Sequence, residues 1–540
     1  MKKLVSILLA LVMIFSLSIT VFAAENTTLT ITNSEGRAYV GYKLLNLTTS
    51  LKTGTHHPAT CDNVNHTDDC YNYAYTVNGK YRAIFQQEVL DYGGNYLWET
   101  TPKPATKDGI TDEQILKYLS NQTSDNGDVY LTMRQVADRL YRAIIKADPT
   151  IIPDKNDMTG NDNIEQGYWL IADVTDLDGN EANSLVMVDT KGQDTLTVTP
   201  KTALPTVEKK VKDIEDSEDG DIDDNPWHDT ADHDIGDAVP FKLTGTLPSN
   251  AQYYTTYKMI FHDTLSDGLT FDPNSVQVLM YETKHKADVD TDMNDGKDVK
   301  AHFVVNDKDL TDGCSFEVSC NNVFAIDGVT KDTTFVVYYK ATLNTSAVIG
   351  GAGNPNEVYL EFSNDPYREG TGKTEDDTVT VFTYQLVINK TDPHGHALEG
   401  AGFTLYKKNL AGEYVAIGEE LKGDDMTTFT WKGLDDGDYK LEETIVPEGY
   451  NKMNDIAFSI FVIHEEVEGK FKVITLDAGL MGNGDTTTGT ITKDIVNNTG
   501  TVLPETGAKG TIMLIGTSTL LVMVAGVFMI TRKKMSIYED

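Results

Sequence analysis

Four cysteines fall into two local pairs, Cys61 with Cys70 and Cys314 with Cys320. In an exported chain such pairs are expected to close as two disulfides. Histidines at 56, 57 and 66 flank the first pair and raise a Cys/His zinc site as the alternative, but the spacing fits no common zinc pattern. Asp288, Asp290 and Asp292 alternate as in a calcium loop, with Met293 where an EF-hand needs glycine. His464-Glu465-Glu466-Val467-Glu468 lacks the second histidine of a zinc-protease helix, and no Gly-x-Ser-x-Gly elbow occurs. No resident metal, cofactor or enzymatic activity is expected from these residues.

Both ends of the chain carry export features. Lys2 and Lys3 precede the apolar run Leu4 to Phe22, and Val21-Phe22-Ala23 offers small residues for cleavage, so residues 1–23 read as a signal peptide. Residues 511–530 form an uncharged apolar stretch, which at about 1.5 Å per residue spans a hydrocarbon layer of roughly 30 Å. Arg532, Lys533 and Lys534 then begin a basic tail, 531–540, as the positive-inside tendency requires. Just before the span stands Leu503-Pro504-Glu505-Thr506-Gly507. Pro504 fixes its own φ and biases Leu503 toward an extended conformation, suiting a peptide that lies in a groove.

This pentapeptide resembles the substrates of sortase transpeptidases of Gram-positive bacteria. The resemblance implies cleavage between Thr506 and Gly507. A thiolate attacks the Thr506 carbonyl and an amine resolves the acyl-enzyme, which makes the chain an acyl donor bound for the cell wall and its peptidoglycan.

With 83 Asp and Glu against 45 Lys and Arg, the net charge is −38. Nucleic acid and anionic membrane surfaces are excluded as partners by repulsion. The stretch between the termini is long enough for about three domains, read as 24–203, 204–383 and 384–502.

In the first region strand-like runs (Leu29 to Thr32, Ala38 to Leu47, Tyr168 to Ala172, Ser184 to Val188, Thr195 to Thr199) enclose helical spacing at Ile115, Leu116 and Leu119 and at Val136, Leu140, Ala143 and Ile144. A sandwich with a helical insertion is expected. The second region opens with an acidic stretch, Asp213 to Asp237, read as an exposed loop. Short alternating strands follow at Val239 to Leu243, Tyr257 to Phe261, Val276 to Tyr281, Phe335 to Tyr339 and Val358 to Phe362. The third region repeats that pattern at Leu386 to Asn389, Phe403 to Tyr406, Tyr439 to Leu441, Phe458 to Ile463 and Ile491 to Val496. The fold class is therefore mainly β, as tandem sandwiches.

Val387-Ile388-Asn389-Lys390, Leu398 to Phe403, Tyr439 to Thr444 and Pro447-Glu448-Gly449-Tyr450 make the third region similar to the CnaB-type Ig-like domains of Gram-positive surface proteins. The resemblance implies an amide between Lys390 and Asn497 promoted by Glu443. The chemistry needs these residue types. Burial favours a neutral, nucleophilic amine and a protonated acid that can polarise the Asn carbonyl, and fixed proximity makes the reaction effectively unimolecular.

Pro205 to Lys209, Asp263 to Phe271 and Gly353 to Asn356 make the second region similar to the CnaA-like middle domain of pilus shafts. That resemblance implies a bond from Lys209 to Asn356 with Asp263 as the acid, Lys210 and Asn354 being the competing choices of register. Leu196-Thr197-Val198-Thr199-Pro200-Lys201 resembles the pilin motif of backbone pilins, with Thr199 where that family has Tyr. The resemblance makes Lys201 the acceptor amine.

A major pilin is the implied function. A class C pilin sortase would join copies of the chain, a housekeeping sortase would anchor the fibre, and accessory pilins and host surface ligands would be its further partners. The alternative is a monomeric wall-anchored adhesin that binds a host protein or glycan.

Overall fold

The computed structural model describes residues 22–23, 26–51, 71–99, 101–121, 133–147, 151–177, 179–200, 203–213 and 226–500. The signal segment up to residue 21, the Cys61 and Cys70 loop, Lys201, the 503–507 pentapeptide, the 511–530 span and the tail lie outside these residues. Among the described residues no helix is long and apolar enough to cross a membrane.

The first region is a sandwich with helices set over one sheet. The long strand Tyr39–Leu51 pairs antiparallel with Gly167–Asp173, which pairs with Leu185–Asp189. The opposing sheet sets Asn26–Ile31 between Asn161–Glu165 and the parallel strand Thr195–Val198. Helices Asp112–Ser120 and Met133–Ala147 fall where the apolar spacing predicts. Thr111 and Gln114 close a capping box at the start of the former. A further helix, Arg82–Tyr92, breaks the expected pattern because its buried face includes Glu88 beside Ile84, Phe85 and Val89. Arg139 and the Tyr118 hydroxyl satisfy that carboxylate.

The second region is a two-sheet sandwich. One sheet runs through Val207–Lys212, Ala238–Thr246, Thr334–Leu343 and Leu269–Tyr281; the other runs through Thr230–Asp232, Asp377–Phe382, Asn354–Ser363, Met259–Leu265, Phe316–Cys320 and Val304–Asn306. Their inner faces bury Phe241, Phe261, Phe316 and Tyr339 among other aromatic and branched side chains.

Two expectations are corrected here. The latter part of the acidic stretch is not a solvated loop: Trp227, Ala231, Asp232 and His233 are buried, and Thr230–Asp232 pairs in parallel with Asp377–Phe382. Cys314 and Cys320 are free thiols, not a disulfide. Cys320 ends the extended strand Phe316–Cys320 and Cys314 precedes its start. At about 3.3 Å per residue the two are held far beyond the 7 Å Cα separation that a disulfide tolerates.

The third region packs a three-stranded sheet, Thr428–Leu434, Tyr384–Thr391 and the parallel last strand Thr490–Val496, against a sheet built on Gly402–Lys408, Gly437–Ile445, Ile456–Val467 and Lys470–Asp477. Thr383 alone separates the strand Asp377–Phe382 from Tyr384–Thr391. The seam there is close-packed: Ile235 N–H donates to Gly433 O at 3.0 Å and Gly351 N–H to Thr487 O at 3.1 Å.

Candidate functional site

Strand alternation places the reactive lysine of the second region. Along Val207–Lys212 the inward residues are Lys209 and Val211, and Lys209 is fully buried. It faces the opposite sheet, where neighbouring antiparallel strands carry Asp263 and Asn356, both also fully buried. Lys209 Nζ donates to Asp263 Oδ2 at 2.5 Å and to Asn356 Oδ1 at 2.7 Å. Tyr339 completes the ring of contacts: its hydroxyl donates to Asp263 Oδ2 at 2.9 Å and accepts from Asn356 Nδ2 at 2.7 Å. The Phe241 and Tyr339 rings each lie 5.7 Å from Nζ.

Burial lowers the Lys209 pKa to about 8 against the opposing pull of Asp263, and burial raises that of Asp263. Both shifts move the pair toward neutral amine and neutral acid, the forms that aminolysis of a carboxamide needs.

The competing residues are occupied elsewhere. Lys210 points outward to Asp229 at 2.5 Å. Asn354 is buried, but its amide bonds the backbone of Val348 and the Val381 carbonyl.

In the third region Lys390, Glu443 and Asn497 are likewise fully buried. Parallel pairing sets Lys390 opposite Ile495, so Asn497 falls just past the end of the last strand, and Glu443 reaches in from the facing sheet. Asn497 Nδ2 donates to Glu443 Oε1 at 2.6 Å, and Glu443 Oε2 accepts the Met453 N–H at 2.8 Å. Lys390 Nζ donates to the carbonyls of Ile495 at 3.0 Å and Thr391 at 3.3 Å. Asn497 Oδ1 has no hydrogen-bond partner. Burial lowers the Lys390 pKa.

The calcium-loop aspartates do not converge. Asp288 lies on the short helix Lys284–Val289 and pairs with Lys284. Asp290 accepts the Tyr281 hydroxyl and the N–H groups of Asn294 and Asp295. Met293 takes a positive φ of 62° at the glycine position.

Sequence reasoning missed Tyr339, which nothing but its place in an apolar strand marks, and a buried ionic group at the seam of the second and third regions. There Lys407 Nζ donates to Asp234 Oδ2 at 2.9 Å and Asp435 Oδ2 at 3.2 Å.

Residues 384–474 match the SpaA family, described as a prealbumin-like fold domain. The trypsin-resistant surface T6 protein of Streptococcus pyogenes serotype M6 is 30% identical over 269 residues, covering 46% of this chain and 44% of that protein. The chain thus spans under half the length of this curated relative. Among solved structures, the T6 backbone pilin of serotype M6 Streptococcus pyogenes aligns over 88% of this chain and 99% of its own, at 17% identity and a TM-score of 0.47. The major pilin BcpA of Bacillus cereus aligns over 64% and 91%, at 18% identity and a TM-score of 0.36. The major pilin SpaD of Corynebacterium diphtheriae aligns over 64% and 86%, at 18% identity and a TM-score of 0.38. The matched SpaA segment falls within the third region, where the sequence leads one to expect a β-sandwich domain.

Proposed function

We propose that the chain is the backbone subunit of a covalent surface fibre. The observation that carries this reading is the buried contact of Lys209 Nζ with Asn356 Oδ1 and Asp263 Oδ2. The neutral Lys209 amine attacks Asn356 Cγ, protonated Asp263 polarises the carbonyl and relays a proton, and the amide nitrogen leaves as ammonia. One C–N bond forms and one breaks, in a single turnover without cofactor. Lys390, Asn497 and Glu443 perform the same step in the third domain.

Each bond closes a long loop, 147 residues in the first case, for which chain entropy gives about 5 kcal/mol. Such bonds suit a protein under tension. The domains run 24–203, 204–383 and 384–502 after removal of the signal peptide.

Assembly uses the ends of the chain. A pilin sortase cleaves after Thr506 and passes the acyl group to Lys201 of another copy, giving a head-to-tail filament. A housekeeping sortase joins the basal subunit to peptidoglycan, and accessory pilins complete the fibre. Co-expression with the cognate pilin sortase is expected to give a ladder that survives boiling in detergent. Lys201→Ala should collapse it to monomer, and an unchanged ladder would remove Lys201 from the scheme.

A further inference from the structure

His262 neighbours Asp263 on the strand Met259–Leu265, and the alternation of side chains sends it to the outer face of the sheet. There it meets a set of donors that the isopeptide chemistry does not use. On one side the strand Phe316–Cys320 sets Glu317 directly opposite; on the other, Asn354–Ser363 sets Tyr359 opposite. The turn before Phe316 brings in Asp312 and Cys314. His262 Nδ1 lies 2.7 Å from Asp312 Oδ2, 3.5 Å from Glu317 Oε1 and 3.9 Å from Cys314 Sγ, and the four donor atoms all lie within 4.8 Å of one another.

We propose that His262, Asp312, Cys314 and Glu317 form a tetrahedral zinc site. With zinc–ligand bonds of about 2.0 to 2.3 Å, donors at the corners of a tetrahedron stand about 3.4 Å apart, and the three separations from Nδ1 bracket that value. The donor set, a thiolate, an imidazole and two carboxylates, is borderline-soft and suits Zn2+ rather than an oxygen-seeking Ca2+ or Mg2+.

The surroundings are those of a supported ligand shell. His262 is only 5% exposed, and its ring stacks on Tyr359 at 4.5 Å. Its far nitrogen, Nε2, is buried without a hydrogen-bond partner and lies 3.4 Å from Glu361 Oε2, where the charge of that carboxylate favours a proton on Nε2 and leaves the Nδ1 lone pair to the metal. The Tyr359 hydroxyl donates to Asp312 Oδ2 at 2.7 Å, and the Cys314 N–H to Asp312 Oδ1 at 3.2 Å. Zinc entry releases the thiol proton and any Nδ1 proton to solvent. The ion would pin the turn at Asp312 and Cys314 to the back of the strand that carries Asp263. Its existence does not depend on the pilus reading.

The test uses the full chain with Cys61→Ser and Cys70→Ser, so that the first cysteine pair contributes no thiolate. Zn2+ is titrated in competition with a chromophoric chelator, and Co2+ is loaded to read the sulfur-to-metal charge-transfer absorption. One Zn2+ per chain, a thiolate band, and about tenfold or greater loss of affinity in His262→Ala and Cys314→Ser, with Cys320→Ser unchanged, are expected. Absence of the thiolate band, or its survival in Cys314→Ser, overturns the site. A second measurement needs no variant at Cys314: saturating Zn2+ should slow alkylation of Cys314, mapped by mass spectrometry, about tenfold, and an unchanged rate counts against the proposal.

Discussion

Lys209 Nζ and Asn356 Oδ1 face each other at 2.7 Å across the two sheets of the second sandwich, with Asp263 against the amine and no solvent between them. If they react, the mature chain is one ammonia lighter for this bond and one for Lys390 with Asn497. Asp263→Ala should restore one ammonia and leave the other missing; Glu443→Ala should do the reverse. Each loss of a cross-link is expected to remove about 5 kcal/mol of stability, read as a lower denaturant midpoint. A wild-type chain of full calculated mass would sink the chemistry.

The two bonds do not sit alike in the path of a pulling force. Asn497 follows the last strand of its domain, Thr490–Val496, so force entering near Lys390 leaves almost directly. Asn356 lies instead on Asn354–Ser363, and Thr371–Lys373 and Asp377–Phe382 follow it. Residues 357–382 (382 − 356 = 26) therefore lie outside the cross-linked loop, held by pairing with Asn354–Ser363 and Thr230–Asp232. Single-molecule stretching of the cross-linked chain should show a step from the second domain of at most about 90 Å, at roughly 3.5 Å per residue, and none of that size from the third. Equal steps would contradict this topology.

The resemblance left Lys209 and Lys210 as competing registers, and it is the pairing of Val207–Lys212 in the sheet that turns Lys209 inward beside Val211 and Lys210 toward Asp229. Alternation could not choose between Asn354 and Asn356, which share a phase and are both buried; only the hydrogen bonds of Asn354 to Val348 and Val381 separate them. The helix Arg82–Tyr92 was hidden because Glu88 occupies its inner face and is neutralised by Arg139 from another helix. The disulfide expectation for Cys314 and Cys320 failed because nearness in sequence along a strand is distance in space. The seam acids failed in the opposite way: Asp232 and Asp234 lie in a run whose composition reads as solvated, and their partners come from more than a hundred residues away.

Without its cross-link, Lys390 should make stability depend on pH. Burial lowers its native pKa from the ordinary lysine value of 10.5. Between the two values the unfolded chain holds a proton that the native chain has released, so stability rises with pH through that window. Asn497→Ala should therefore gain in urea midpoint between neutral pH and pH about 10. Wild type, in which the nitrogen is an amide, should lack this increment. Parallel slopes for the two proteins would mean that Lys390 does not titrate as its burial requires.

Lys407 holds the seam between the second and third domains through Asp234 of one and Asp435 of the other. Asp435 is nearly fully buried, and burial raises its pKa well above 3.8 while Lys407 opposes the rise. Removing the ammonium leaves a buried carboxyl that must either ionise alone or take up a proton, a loss of about 3 kcal/mol. The folded pKa of Asp435 then climbs further. A group whose native pKa exceeds its unfolded value loses its contribution as pH rises through the native value, so wild type and Lys407→Ala fall together up to the wild-type native pKa of Asp435, already well above 3.8, and the deficit of the variant should grow as pH is raised beyond it. Differential melting of the full chain at a series of pH values measures this, and limited proteolysis should cut near Thr383 first in the variant. A deficit independent of pH would assign the role of Lys407 to packing against Tyr439 instead of to its charge.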